Sequence, residues 1–592
     1  MRLKLTIILC ALLASLVPAS AARAATVATL REEVRTLLDS TAYQWARMKT
    51  PAGDFRNPFP ADLARGHGSF VPPMLVYALE RAGERRGDPA LVAAAEAAWP
   101  RSVDPVRASA FDMVGAAYAY RKLALTDARR AQLAQYLSRY GIPQNGYSCL
   151  INPVCYGNLR LVDALAVLAI TAAGIRSPDP GARLSNPAGA RRFPVWVINQ
   201  RVGEIVDHGV RARAAGRRFR GSYLSDPSMN PLAYHALSTF MLSEAIAVLG
   251  REASRAARRA RRETTDTLAA LVAPDGDTTY LGRGQGQVWV PAIVAGALAT
   301  AARRAAGHHP ARARRYLAAA RRAVQRLERL HASRHGLLLV PGADARTTAD
   351  GIDSYAHTVA YNGLALFGLT RALDALSGMR RLRIGRLMSA HRLALTDPGT
   401  SGLGVVSNGR VWLAVRRKTA IVSDLRFDFG ALALKRRTAR GWIDLLAPRP
   451  LAPLAANTGG PALLHRGALL TPGGFSIRTR GQTVTVDGGY RANDRWVRRV
   501  LFRWRIGRRG ARLKVSGARR ADRFRMLAYT PAGTGALHPR ALEAAGARWR
   551  FDRPILARRI PGYHSAPIEA LDGLEAWLTA PKSGRFVVKI GI

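Results

Sequence analysis

The chain has 592 residues, with 90 Lys and Arg against 40 Asp and Glu, a formal charge of +50. Its length exceeds what a single hydrophobic core usually spans, so two or more domains are expected, and a hydrophobic content of 48% excludes a disordered chain. The positive charge favours an anionic partner, but an Ala- and Arg-rich coding bias produces the same excess. Arg pairs such as Arg217-Arg218 and Arg314-Arg315 also fall where solvated helix faces are expected, so charge alone decides nothing.

Residues 1–24 read as an export signal. Arg2 and Lys4 precede an apolar run from Leu5 to Val17, Pro18 breaks it, and Ala22-Arg23-Ala24 supplies a small-x-small cleavage pattern. The run is shorter than the ~20 residues a membrane helix needs. A secreted protein is therefore expected, in the extracellular space or cell envelope, with no membrane association after cleavage. The cysteines beyond the signal, Cys149 and Cys155, bracket a five-residue loop. In an oxidising compartment such neighbours pair; C-x5-C without a nearby histidine lacks zinc spacing, and no metal is expected.

From residue 25 to about 385 the pattern is helical. Leu30–Met48, Asn158–Ala173, Pro231–Leu249, Val288–Ala306 and Ser354–Leu373 carry apolar residues at helical spacing, separated by Gly, Pro, Asp and Asn clusters. About a dozen helices are expected, uninterrupted by strands. Residues 386–592 change texture. Gly404–Val415 reads as two strands around Asn408-Gly409, Thr483–Val486 as a strand entering a turn, and Leu501–Ile506 with Ala511–Ser516 as a hairpin. Phe586–Ile590 reads as a last strand. The expected architecture is an α/α toroid of about a dozen helices followed by an antiparallel β-sandwich, as separate cores joined near residues 377–402.

Four turn-rich loops in the helical part each lead into a helix whose first turns are aromatic and polar. Asn158 follows Tyr156-Gly157. Tyr234 and His235 follow Asn230-Pro231, read as N-cap and first helical residue. Arg283, Gln285, Gln287 and Trp289 lie in and after a Gly-rich loop without a preceding strand, which argues against a dinucleotide site. Tyr355, His357 and Tyr361 open the last helix. Stacked helical hairpins can close into a ring that brings such helix starts to one face. Guanidinium and amide groups suit a carboxylate or sulfate, an indole suits a sugar ring, and Tyr or His can carry a proton. Core packing and capping explain each cluster equally well when it is taken alone. The pairs Asp275/Asp277 and Asp350/Asp353 leave two-carboxylate glycoside hydrolysis open.

A secreted helical toroid followed by a β-sandwich, with this Asn, Tyr, His and Arg inventory, resembles the heparinase II/III-like and alginate-lyase-like polysaccharide lyases. The resemblance implies an anionic, uronate-containing polysaccharide as partner, no nucleic acid and no cofactor. It implies β-elimination in which Asn158, with His or Arg, neutralises a carboxylate while Tyr234, His235 or His357 moves protons. Arg283, Gln285, Gln287, Trp289, Tyr355 and Tyr361 would then bind substrate. Asn158 is followed by Leu159, a departure from the Asn-His pair that the resemblance would place there. The alternatives are a toroid glycoside hydrolase using paired Asp residues and a non-catalytic glycan or cell-wall binding protein. Peptide mapping of the unreduced, exported protein should find Cys149 linked to Cys155; two free thiols would overturn the pairing.

Overall fold

The computed structural model describes residues 25–592 except 57–71, 104–108, 141–156, 179–184, 215, 227–230, 285, 335, 342–356, 380–381, 400, 418–428, 449–459, 494 and 565–569. The proposed signal, Cys149, Cys155, Asn230, Gln285, Asp350, Asp353 and Tyr355 therefore lie outside the described residues.

Among the described residues, twelve helices of ten residues or more occupy the first part of the chain: α1 (Val27–Met48), α2 (Pro72–Arg86), α3 (Pro89–Ser102), α4 (Ala110–Lys122), α5 (Asp127–Ser138), α6 (Gly157–Thr171), α7 (Pro187–Trp196), α8 (Leu232–Leu249), α9 (Arg255–Leu271), α10 (Trp289–Ala305), α11 (Pro310–His331) and α12 (Thr358–Ser377). The even-numbered helices form an inner ring: α2 packs on α4, α4 on α6, α6 on α8, α8 on α10, α10 on α12, and α12 returns to α2. Composition dictates the assignment. Helices α8, α10 and α12 are buried on nearly every face and apolar all round, whereas α9 and α11 bury one stripe and turn Arg-rich faces outward.

The ring closes through two devices. Helices α10 and α12 meet through glycines. A Cβ on Gly296 would stand 2.7 Å from the Gly368 carbonyl oxygen, and one on Gly368 would stand 2.9 Å from that of Ala292. The centre is filled by Tyr77, Tyr118, Phe240 and Phe367, whose ring centroids lie 5.2–6.3 Å apart. Tyr118 donates to Glu244 at 2.6 Å, and Arg371 holds the same carboxylate at 3.0 Å.

Two expectations are corrected. Strands do interrupt the helical part: β1 (Val206–Ala214) and β2 (Arg217–Leu224) form a hairpin before α8, and β3 (Ala332–Ser333) and β4 (Gly336–Leu337) a small one after α11. The alternation from Val206 to Leu224 is a weak signal because Arg211, Arg213, Arg217, Arg218 and Arg220 fall within it, which a reading by hydropathy takes for a polar loop. Nor does the division between the two hydrophobic cores fall at residues 377–402. β1 pairs with β5 (Arg392–Asp397), so one seven-stranded antiparallel sheet runs β2-β1-β5, then β6 (Leu403–Asn408), β7 (Val411–Arg416), β8 (Gly430–Thr438) and β9 (Gly441–Asp444). One face joins the helical core through Leu395, Val405, Trp412 and Leu432. The other face packs Val406, Leu413 and Leu434 against a second sheet. Burial on both faces explains the unbroken apolar runs of β6 and β7.

That second sheet has eight strands: β12 (Pro472–Arg480), β13 (Thr483–Ala492), β14 (Arg495–Ile506), β15 (Gly510–Ser516), β22 (Arg585–Gly591), β19 (Ala547–Phe551), β18 (Ala541–Ala544) and β17 (Ala536–His538). Its inner face also covers a five-stranded sheet that contains β16 (Arg523–Pro531) and β21 (Ala570–Thr579). The sandwich is therefore one broad sheet facing two.

A buried ionic cluster ties the two parts together. Lys435 on β8 reaches Asp275 at 2.7 Å and Asp277 at 3.1 Å, and Arg326 on α11 reaches the same carboxylates at 3.0 and 3.5 Å. Burial alone would raise both Asp pKa values, but the two cations outweigh it and hold the carboxyls below the usual range. Asp275 and Asp277 thus serve as a structural joint between the helical and β parts. Because the folded pKa values are depressed, this stabilisation is complete above the ordinary carboxylate value and is lost as pH falls through the folded values. Lys435→Met should lower unfolding free energy at neutral pH by about 3 kcal/mol. It should also flatten the acid limb of stability against pH in urea titrations; an unchanged acid limb would sink this account.

Candidate functional site

The starts of the inner helices α6, α8, α10 and α12 meet at one end of the ring. Gly157 begins α6 so close to the chain after β2 that a Cβ would stand 2.5 Å from the Ser225 carbonyl oxygen. That contact sets Asn158 beside Asp226, to which its amide donates at 2.7 Å. The next loop carries Gly282, Gly284 and Gly286, all at positive φ of 67–83°. A Cβ on Gly284 would stand 2.9 Å from that of Ala233, so this loop lies directly against α8. The turn delivers Arg283, whose Nη2 donates to the other Asp226 oxygen at 2.8 Å.

The Arg283 guanidinium also lies 4.5 Å from the centroid of the Tyr234 ring, a cation–π contact. Tyr234 meets Trp289 edge-on at 5.6 Å, and Trp289 meets Tyr361 at 6.1 Å. Trp289 donates from its indole to Gln287 at 2.5 Å. His357 caps α12, one turn before Tyr361. Asn158, Asp226, Arg283, Tyr234, Trp289 and Tyr361 thus form one continuous train of contacts drawn from four helix starts. Asp226, Asn158, Trp289 and Tyr361 are buried, Tyr234 is partly buried, and the Arg283 side chain is 21% exposed.

Three titratable groups differ in their surroundings. His235 is fully buried, stacks on Tyr223 at 4.3 Å and accepts the Leu224 N–H at Nδ1, 2.9 Å away. Burial pushes its pKa down to about 3, against the partial support of a hydrogen bond with the Thr264 backbone. Buried and bonded in this way, the ring pins β2 to α8. His357 is held below its ordinary pKa by burial, and its Nδ1 has no hydrogen-bond partner among the described residues. Asp226 is pushed up by burial despite the opposing Arg283 and Asn158. Pro231 occupies the cap of α8 in extended conformation, and the helix begins at Leu232, one residue later than the sequence suggests.

Asp226 is the cluster member that sequence reasoning missed. It stands in an Asp-Pro pair that reads as ordinary turn chemistry. The signal was its place in the same repeated loop pattern as Asn158 and Arg283. No cluster of three or more His, Cys, Asp or Glu residues able to hold a metal occurs among the described residues.

No protein-family model matches this chain, and no curated protein matches it. It is similar to solved structures at low identity. A heparinase III gene product aligns over 93% of this chain and 83% of its own, at 10% identity and a TM-score of 0.47. The unsaturated glucuronyl hydrolase of Bacillus sp. GL1 aligns over 57% of this chain and 96% of its own, at 15% identity and TM-score 0.38. A GH76A α-1,6-mannanase from Salegentibacter sp. HEL1_6 covers 58% and 99%, at 12% and 0.38. None of these likenesses assigns a role to a residue of this chain.

His235→Ala should lower unfolding free energy by about 2 kcal/mol, since it strands a buried backbone N–H. His235 is buried neutral, so the unfolded chain takes up its proton first as pH falls from about 6.5, and stability drops towards the folded value. The variant should show less of that drop in denaturant titrations at pH 7 and pH 4, and an equal drop would count against the assignment.

Proposed function

We propose that the protein acts on an acidic, uronate-containing polysaccharide and cleaves it by β-elimination at the shared helix starts. The observation that carries this reading is the half-shielded Arg283 guanidinium, held by Asp226 directly over Tyr234 at the mouth of the cluster. Carboxylate recognition by a guanidinium is charge-assisted and directional, and converging helix N-termini add to the positive potential there.

The chemistry follows from the charges. Removing the proton α to an ionised carboxylate builds charge on that carboxylate, and a fixed cation beside it lowers the barrier. His357, held neutral by burial, accepts the C5 proton. The freed electron pair forms the C4–C5 double bond, the C4–O bond breaks, and Tyr234 gives its proton to the departing oxygen. Proton exchange with water restores both groups. Trp289 and Tyr361 are buried behind Tyr234 and hold its ring in place, with Gln287 fixing the indole.

A second reading has one observation in its favour. Asp226 is buried with its carboxyl pKa raised, the condition of a general acid in glycoside hydrolysis. The products separate the two. Elimination yields an unsaturated sugar that absorbs in the ultraviolet, whereas hydrolysis yields reducing ends without it. On polymeric uronates, Tyr234→Phe should lower kcat by about a hundredfold or more with KM little changed, and Arg283→Ala should raise KM as well. Reducing ends without absorbance, abolished by Asp226→Asn, would establish hydrolysis instead. Unchanged rates in both variants would move the function to glycan binding alone.

A further inference from the structure

We propose that the outward face of the eight-stranded sheet is a second, non-catalytic binding surface for a polyanionic glycan, centred on Arg505, Arg512, Lys589 and Arg550. These four stand directly opposite one another on four successive strands, β14, β15, β22 and β19. All four are exposed. A second pair on the same face sets Arg503 opposite Lys514. The acids on this face, Asp487 and Glu543, stand outside the row, and Glu543 is engaged by Arg548 at 3.5 Å.

Folding alone supplies no reason for such a row. The register of these strands is set by their inner residues, Phe502, Trp504, Leu513, Val588 and Trp549, which fill the core. Outward positions could hold any polar residue, and like charges directly opposite one another across strands are destabilising. A bound polyanion removes that repulsion. Neighbouring strands lie about 4.8 Å apart, close to the advance of one sugar along an extended chain, so one carboxylate or sulfate per sugar can meet one cation per strand. Arg forks bind such groups bidentately. The row borders a cavity of about 520 Å³ that Gln482, Arg509 and Arg548 also line, adding an amide for sugar hydroxyls. Among the described residues no aromatic side chain lines that cavity, so these residues supply no stacking platform of the kind that single-stranded nucleic acids use. The ligand class is that of the reading above, but the surface binds whether or not the cleft performs elimination.

The test uses the full-length chain carrying Arg512→Ala, Lys589→Ala and Arg550→Ala together. The probes are heparin, polygalacturonate, neutral dextran, a single-stranded oligonucleotide and anionic phospholipid vesicles. The wild type should bind at least one of the two acidic polymers, with affinity falling as salt rises, and should ignore dextran. The triple variant should bind that polymer about tenfold more weakly or worse, with an unfolding midpoint unchanged or raised because repulsion has been relieved. Arg283→Ala should leave binding at this face intact, so failure of the cleft reading and failure of this one look different. If the triple variant does not fold, Arg512→Gln and Lys589→Gln singly should each weaken binding several-fold. Undiminished polymer binding in the variants, or tighter binding of the oligonucleotide or vesicles than of either polymer, would overturn the proposal.

Discussion

A ring of six helices has no free face on its members: each inner helix touches two neighbours, an outer helix and the filled centre. That constraint demands helices that are apolar all round, and α8, α10 and α12 meet it with Ala, Leu, Val and small residues. At the α10–α12 contact even a methyl group is too large, and Gly296 and Gly368 let the two backbones touch. Closure then determines where everything else lies. With the inner helices side by side, the starts of α6, α8, α10 and α12 share one end, and residues from Asn158 to Tyr361 become neighbours.

The β half is fixed to this ring by continuity of its sheet as well as by packing. The hairpin before α8 supplies two strands to a sheet otherwise built from residues beyond 390, and its end is pinned by His235. Tyr280 packs edge-on against Trp412 at 5.1 Å, a few residues from the Lys435 cluster. Carboxylates that look catalytic in a list of residues are thereby engaged in holding two layers together. The loop that runs from Asp275 to Trp289 serves both ends: its first residues join the sheet, and its glycines deliver Arg283 to the helix starts.

Electrostatics divides residues of one type into different roles. His235 and His357 are both buried near a helix start, but His235 accepts the Leu224 N–H on Nδ1 and stacks on Tyr223, whereas the Nδ1 of His357 has no partner among the described residues. Asp226 and Asp277 are both buried beside an arginine. Asp277 has Lys435 as well and stays below the usual carboxylate range; Asp226 has a single guanidinium and an amide and is pushed above it. The arginines separate likewise into solvated faces of outer helices, ion-pair partners, and the opposed row on the outer sheet.

Periodicity made most of the architecture legible. Apolar residues at helical spacing marked the helices, and Asn408-Gly409 between alternating residues marked a hairpin, because local backbone preference and burial of one face act over a few residues at a time. The Asn, Tyr, Arg and His at the helix starts were visible for the same reason: each breaks an otherwise apolar pattern. What depended on contacts between distant segments was not visible. The Arg-rich hairpin Val206–Leu224 reads as a polar loop until β5 pairs with it. Asp226 reads as a turn residue until Gly157 brings Asn158 to it and the glycine-rich loop brings Arg283. Asp275 and Asp277 read as a carboxylate pair until Lys435, some 160 residues away, reaches them. A residue's type is written in its own position, but its protonation, its partners and its exposure are set by whichever segments the ring and the sheet place against it. Sequence therefore determined the elements and the candidate chemistry, and tertiary structure alone decided which candidates join the helical and β layers and which gather at the shared helix starts.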